Sequence, residues 1–168
     1  MNLRLIALAA LVMIVPAAAE TPPKQTTDFV NKVSVANQFE IDTSQLALKY
    51  GTGSDAKTFA QQMIDDHTKA GEEFKAALAK AQITPPAEGL DLTHKAKYAK
   101  LRVFTTAGGF DASYISAQLE AHKEAVALFK DYAANGQTPA VKEFAAKTLP
   151  TLEHHLAMVE QLSSKYTQ

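Results

Sequence analysis

The placement of glycine, proline and asparagine constrains this chain more than any other feature. Long stretches with few such breakers alternate with dense clusters of them: "GTGS" at residues 51–54, "TPPAEG" at 84–89, "AGG" at 107–109 and "NGQTP" at 135–139. Between the clusters, apolar residues recur at the three-then-four spacing of a helix face, and no stretch shows the two-residue alternation of a strand. Four long helices are expected. The first starts at Thr27, an N-cap candidate followed by Asp28, and stops near Tyr50. The second runs from a Ser54 cap to about Ala81, the third from about Asp111 to Ala134, and the fourth from Pro139 towards Tyr166 with an interruption or kink at Pro150.

The connections carry topological information. Two are short, but residues 82–110 form a long link containing a Pro-Pro break, a short helix capped by Thr93 and a Gly-Gly pair. A simple up-down bundle has three short loops, whereas a ferritin-like bundle has one long crossover between its second and third helices. The expected architecture is therefore all-α: a ferritin-like antiparallel four-helix bundle whose crossover carries a short extra helix.

The N-terminus reads as an export signal covering residues 1–19. Arg4 gives the positive segment, "LIALAALVMIV" the apolar run, and Ala17 and Ala19 the small residues before a cleavage point at Glu20. A flexible leader follows at 20–27, and the bundle domain occupies 28–166. The periplasm is the expected destination, with secretion as the alternative. What remains after cleavage is roughly 150 residues, enough for one domain with one core, and it contains no apolar run long enough to span a bilayer.

Composition removes several classes of function. The chain has no cysteine, so thiolate metal sites, disulfides and c-type haem attachment are excluded. With 17 basic and 18 acidic residues the chain is near neutral, which gives no reason to expect nucleic acid as a partner. No phosphate loop, dinucleotide fingerprint or nucleophile elbow is present, so no nucleotide cofactor is expected. A redox or hydrolytic metalloenzyme would need an open coordination position and a substrate cleft, neither visible in sequence, and a non-enzymatic role is the leading expectation. The segment "HKAKYAKLR" puts Lys95, Lys97, Lys100 and Arg102 on the crossover helix, a candidate for weak contact with the envelope. His94, at the start of that helix, is expected to be exposed.

What does not belong on the helix faces is more informative. The second helix has a stripe of Ala56, Ala60, Met63, His67, Ala70, Phe74, Ala77 and Ala81, in which only His67 is ionisable. On the first helix Glu40 falls within about 20° of Phe29, Val33 and Ala47 at about 100° per residue. The third helix places His122 among Ile115, Leu119, Val126 and Phe129. The fourth places His155 among Val141, Ala145, Leu152 and Val159. Each long helix thus carries one inward candidate ligand, and the depths within each hairpin differ by on the order of one helical turn.

Imidazole nitrogens with one carboxylate make a nitrogen-rich set suited to Zn, Cu, Ni or Fe and ill-suited to Ca or Mg. Asp66 and Gln118, beside or one turn from a ligand, are candidates to orient an imidazole. Burying these groups without compensation is costly, so either a metal or a fully satisfied hydrogen-bond network must be present. The second case would describe a metal-free envelope stress or interaction module whose polar core fixes helix register. Asp111 and Tyr114, in "FDASY", are candidates to cap the third helix and close its approach to the bundle.

The segments "DFVNKVSVANQFEIDTSQLAL", "FAQQMIDDHTKAGEEF", "FDASYISAQLEAHKEAVALF" and "FAAKTLPTLEHHLAMVEQL" together resemble the exported bacterial family known as domain of unknown function 4142. The resemblance spans roughly Asp28 to Leu162 and implies a ferritin-like fold and export, with no established activity. Di-iron members of that fold use a Glu-x-x-His pair on two helices. Here the residues three before His67, His122 and His155 are Ile64, Leu119 and Leu152, so a di-iron centre is not expected and a single ion is the better fit.

Overall fold

The computed structural model describes residues 21–107 and 109–166, and the proposed signal at 1–19 lies outside them. Five helices follow one another: α1 (Lys24–Tyr50), α2 (Ser54–Lys80), α3 (Leu92–Ala107), α4 (Phe110–Asn135) and α5 (Pro139–Tyr166). There is no strand among the described residues. The long helices α1, α2, α4 and α5 form the bundle. Within it α1 neighbours α2 and α4, α5 neighbours α4 and α2, and α3 packs along α1 and α4.

Contacts at the two ends fix the direction of each helix. At one end the start of α1 meets the end of α4 and the start of α5, where the Thr26 hydroxyl bonds to those of Tyr132 (2.7 Å) and Thr138 (2.8 Å). Lys80, at the end of α2, reaches Glu143 in the first turns of α5. At the other end Asp111 at the start of α4 accepts hydrogen bonds from the α1–α2 turn. There too Tyr166, at the end of α5, donates to Asp55 at the start of α2. The order is therefore up, down, down, up. The crossover with α3 returns the chain along the length of the bundle, as the ferritin-like reading requires.

Local chemistry moves several helix ends. The first helix starts at Lys24 rather than Thr27, so part of the expected leader is helical. Pro23 supplies the extended N-cap, and Thr26 is already committed to the bundle end. Gly53, not Ser54, holds the N-cap position of α2, with no side-chain cap. The α3 helix is capped by Asp91 rather than Thr93: its carboxylate accepts the His94 amide at 2.8 Å, the N-cap-to-N3 bond of a capped helix. His94 is partly buried there, its ring edge-on to Phe39.

No interruption occurs at Pro150, and α5 runs through it. The proline lacks an N–H for the Ala146 carbonyl, but Ala146 and Pro150 both face solvent, where water can satisfy that carbonyl. On α2 the buried stripe ends at Leu78, with Ala77 half-buried. A straight helix drifts by about 20° per heptad, which carries the seam from one residue to the next by the last turn.

The core has two apolar halves. One, built on Phe29, Phe74, Phe129, Tyr132 and Phe144, lies towards the α4–α5 turn. The other, built on Ala47, Phe59, Met63, Tyr114 and Ile115, lies towards the α1–α2 turn. The inward polar residues fall between them.

Candidate metal centre

His67, His122 and His155 are brought together from α2, α4 and α5. Their exposures are 7%, 1% and 1%, and one ring nitrogen from each lies within 4.8 Å of those of the others. The ring centroids form a nearly equilateral triangle, 5.8 Å from His67 to His122, 5.6 Å from His67 to His155 and 5.5 Å from His122 to His155. The doublet at 154–155 resolves cleanly, with His155 inside and His154 exposed.

Each ring is tethered at its outer nitrogen. His122 Nδ1 donates to the Gln118 backbone carbonyl at 2.9 Å, one turn back on the same helix. His155 Nε2 donates to the Asp66 carboxylate at 2.9 Å, a bond from α5 to α2. His67 Nδ1 pairs with the Asn37 side-chain oxygen on α1 at 3.1 Å. The remaining nitrogens, His67 Nε2, His122 Nε2 and His155 Nδ1, are buried without a partner. An imidazole that donates its outer N–H to an oxygen keeps a lone pair on its inner nitrogen, which is how metal-binding histidines are oriented.

The surroundings of His67 and His155 favour the neutral ring. Burial holds His67 well below the ordinary histidine range, and His122 and His155 beside it push in the same direction. Burial also lowers His155, against the opposing pull of the Asp66 carboxylate. Neutral imidazole is the ligating form.

Glu40 is buried, at 4% exposure, but it does not join the three histidines. Its Oε1 lies 4.0 Å from His122 Nδ1, the outer nitrogen already donating to Gln118. The carboxylate thus sits behind the ring rather than among the inner nitrogens. Burial raises its pKa, partly countered by His122 and the Gln118 side chain. The reason for its displacement is one of angle: being on the apolar face of α1 fixes that Glu40 points inward, not which neighbour it meets.

Of the orienting residues, Asp66 acts through its carboxylate. Gln118 acts through its backbone, while its side-chain amide donates to Thr43. Sequence reasoning missed Asn37. It lies three residues before Glu40, a polar residue one turn away on the same helix, and that spacing was the available signal. Asp111 and Tyr114 do not cap their own helix, since Gly109 holds that N-cap position in a left-handed conformation. Instead Tyr114 bonds Ser44 across the bundle at 2.9 Å. On α3, Lys97 ties the crossover helix to Glu120 and Glu124 of α4, while Lys95, Lys100 and Arg102 are exposed.

The family model described as domain of unknown function (DUF4142) matches residues 13–162 of this chain. The chain belongs to the DUF4142 family. No curated protein matches this DUF4142 chain significantly. Among solved structures, it is similar to one titled a crystal structure of a DUF305 fragment from Deinococcus radiodurans. The TM-score is 0.72 at 16% identity, covering 87% of this DUF4142 chain and 99% of the other. At that identity the likeness establishes a shared fold.

Proposed function

We propose that this protein binds a single transition-metal ion in the middle of its bundle through His67, His122 and His155. One observation carries the reading: three buried imidazoles converge, each tethered at one nitrogen and unpartnered at the other. An unpartnered buried polar atom is costly in a native core, and three such atoms on three converging rings fit a shared ion. Metal–nitrogen bonds of about 2 Å place two ligands at most about 4 Å apart, so small inward ring movements accompany loading. Three imidazoles and no carboxylate in the inner set suit Zn, Cu, Ni or Fe(II), and the absence of Glu-x-x-His pairs argues against a di-iron centre. Three protein ligands leave further coordination positions to an outside molecule.

The role we assign is binding in the periplasm after export, rather than catalysis. Elemental analysis of untagged protein purified from periplasm tests it. We expect about one ion per chain, a melting temperature that falls on chelation, and loss of both in His67→Ala. Glu40→Gln should retain the ion, because Glu40 lies behind His122. Substoichiometric metal with chelator-independent melting would favour the competing reading, a metal-free polar layer that fixes helix register.

A further inference from the structure

A cavity of about 430 Å³ adjoins the histidines on the side of the aromatic half of the core, within the roughly 300–1,000 Å³ range of small-molecule sites. Its floor includes His67, His122, Glu40 and Thr148, and its walls are predominantly apolar, among them Phe39, Phe74 and Phe129. The first turn of α3 roofs it. His94 is held there by Asp91 at 2.8 Å and rests edge-on against Phe39 at 5.2 Å.

Besides the Nε2 atoms of His67 and His122, two polar atoms of lining residues are buried without partners, the Thr148 hydroxyl and Glu40 Oε2. Thr148 is 8% exposed and Glu40 4%. A hydroxyl on the apolar stripe of α5 with no helix carbonyl as partner is unusual, because threonine in a helix ordinarily bonds back to the preceding turn. Thr43 and Thr68 in this protein do so. The Thr148 oxygen is enclosed in its present rotamer, and a switch between the two χ1 rotamers open to a helical threonine would turn it towards the space.

We propose that this cavity is a binding site for a small uncharged molecule with an apolar, ring-sized body and one hydrogen-bonding head directed at Thr148 and Glu40. The charged residues on the lining, Lys32, Asp91 and Glu124, are exposed at the rim, so no lysine or arginine inside can compensate a buried anion. The carboxylate inside, that of Glu40, has its Oε1 4.0 Å from His122 Nδ1. The site borders the proposed metal centre through His67 and His122 but its apolar grip does not require the ion.

The test is titration of the purified protein with four probes: 2-naphthol, naphthalene, 2-naphthoate and 2-naphthylmethylammonium. 2-Naphthol should saturate at one per chain, and the two charged probes should bind at least about tenfold more weakly. Ala125→Phe, which fills the cavity from α4, should abolish binding. Thr148→Val should weaken 2-naphthol about fivefold, equivalent to one neutral hydrogen bond, and leave naphthalene unchanged. The second variant retains side-chain volume, so it decides the matter if Ala125→Phe fails to fold. Absence of saturable 2-naphthol binding, equal or tighter binding of a charged probe, or indifference to Thr148→Val would overturn the proposal. Metal content measured on the same samples separates the two readings: an ion without probe binding sinks this one alone, and probe binding without an ion sinks the metal centre alone.

Discussion

The apolar halves of the core and the polar layer between them are buried to the same degree by opposite means. In the aromatic half, Phe29 stacks on Tyr132 at 4.0 Å and meets Phe129 edge-on at 5.2 Å, contacts that are favourable by removal from water alone. In the polar layer, removal from water is itself the cost, and each histidine is accepted only with an oxygen at its outer nitrogen. Stability belongs to the halves. Specific chemistry belongs to the layer, whose inner nitrogens are left for something else. The sharpest way to break this contrast is Phe29→Ala, which should destabilise by about 3–5 kcal/mol in chemical denaturation without changing metal stoichiometry. A loss of bound metal in the folded variant would show that the two regions are not separable.

The layer should respond in the opposite sense. Loading with free metal at a hundredfold excess over Kd should add about 2.7 kcal/mol to wild-type stability. In His67→Leu that increment should vanish, while the metal-free variant should be as stable as metal-free wild type or more so. The apolar replacement removes a buried polar atom together with its need for a partner. Denaturation of both proteins with and without chelator checks this, and a metal-free His67→Leu much weaker than metal-free wild type would mean that the imidazole is there for the hydrogen bond to Asn37.

The same contrast explains what could be read from the sequence. Helical periodicity reports which way a side chain faces, so the inward placement of His67, His122, His155 and Glu40 was legible, as was the crossover topology from loop lengths. Periodicity does not report azimuth between helices to better than a residue's width. Glu40 is as inward as His67, yet its carboxylate meets the back of His122. Asn37, off the centre of the α1 stripe, reaches His67. Helix caps were misread for a related reason: Thr27, Ser54 and Thr93 are good caps by type, but Pro23, Gly53 and Asp91 hold those positions because tertiary contacts set where each helix begins.

Asp111 gives the next smaller effect and extends the comparison to the bundle end. Its carboxylate accepts from the Thr52 amide at 3.0 Å, the Thr52 hydroxyl at 2.9 Å and the Gly53 amide at 2.8 Å. It thereby holds the α1–α2 turn from the start of α4. Asp111→Ala leaves those amides unpaired, at a cost of about 1–3 kcal/mol. Amide hydrogen exchange should quicken at residues 52–56 and stay unchanged around His122. Uniform acceleration would place the loss in global stability instead.

The smallest effect belongs to the latch beside it, where polar groups are paired but not enclosed. Tyr166 donates to Asp55 at 2.6 Å, and Lys165 approaches the same carboxylate at 3.3 Å. The Tyr166 hydroxyl is pushed up to about 12 by burial and then by the hydrogen bond to Asp55. Asp55 is held below the usual carboxylate range, first by the bond from Tyr166. The signs differ. Tyr166, raised in the folded state, contributes stability fully below its unfolded pKa of 10.0, and loses it as pH climbs through about 12. Asp55, lowered in the folded state, contributes above 3.8 and loses it as pH falls through its folded value. Asp55→Asn should therefore flatten the stability profile at both extremes. At pH 7 it should cost no more than the roughly 0.2–1 kcal/mol of an exposed pair, since its side chain is 39% exposed. The measurement is stability against pH for the variant and wild type. A cost at pH 7 as large as that of Asp111→Ala would mean that enclosure is not what separates a strong polar contact from a weak one in this bundle.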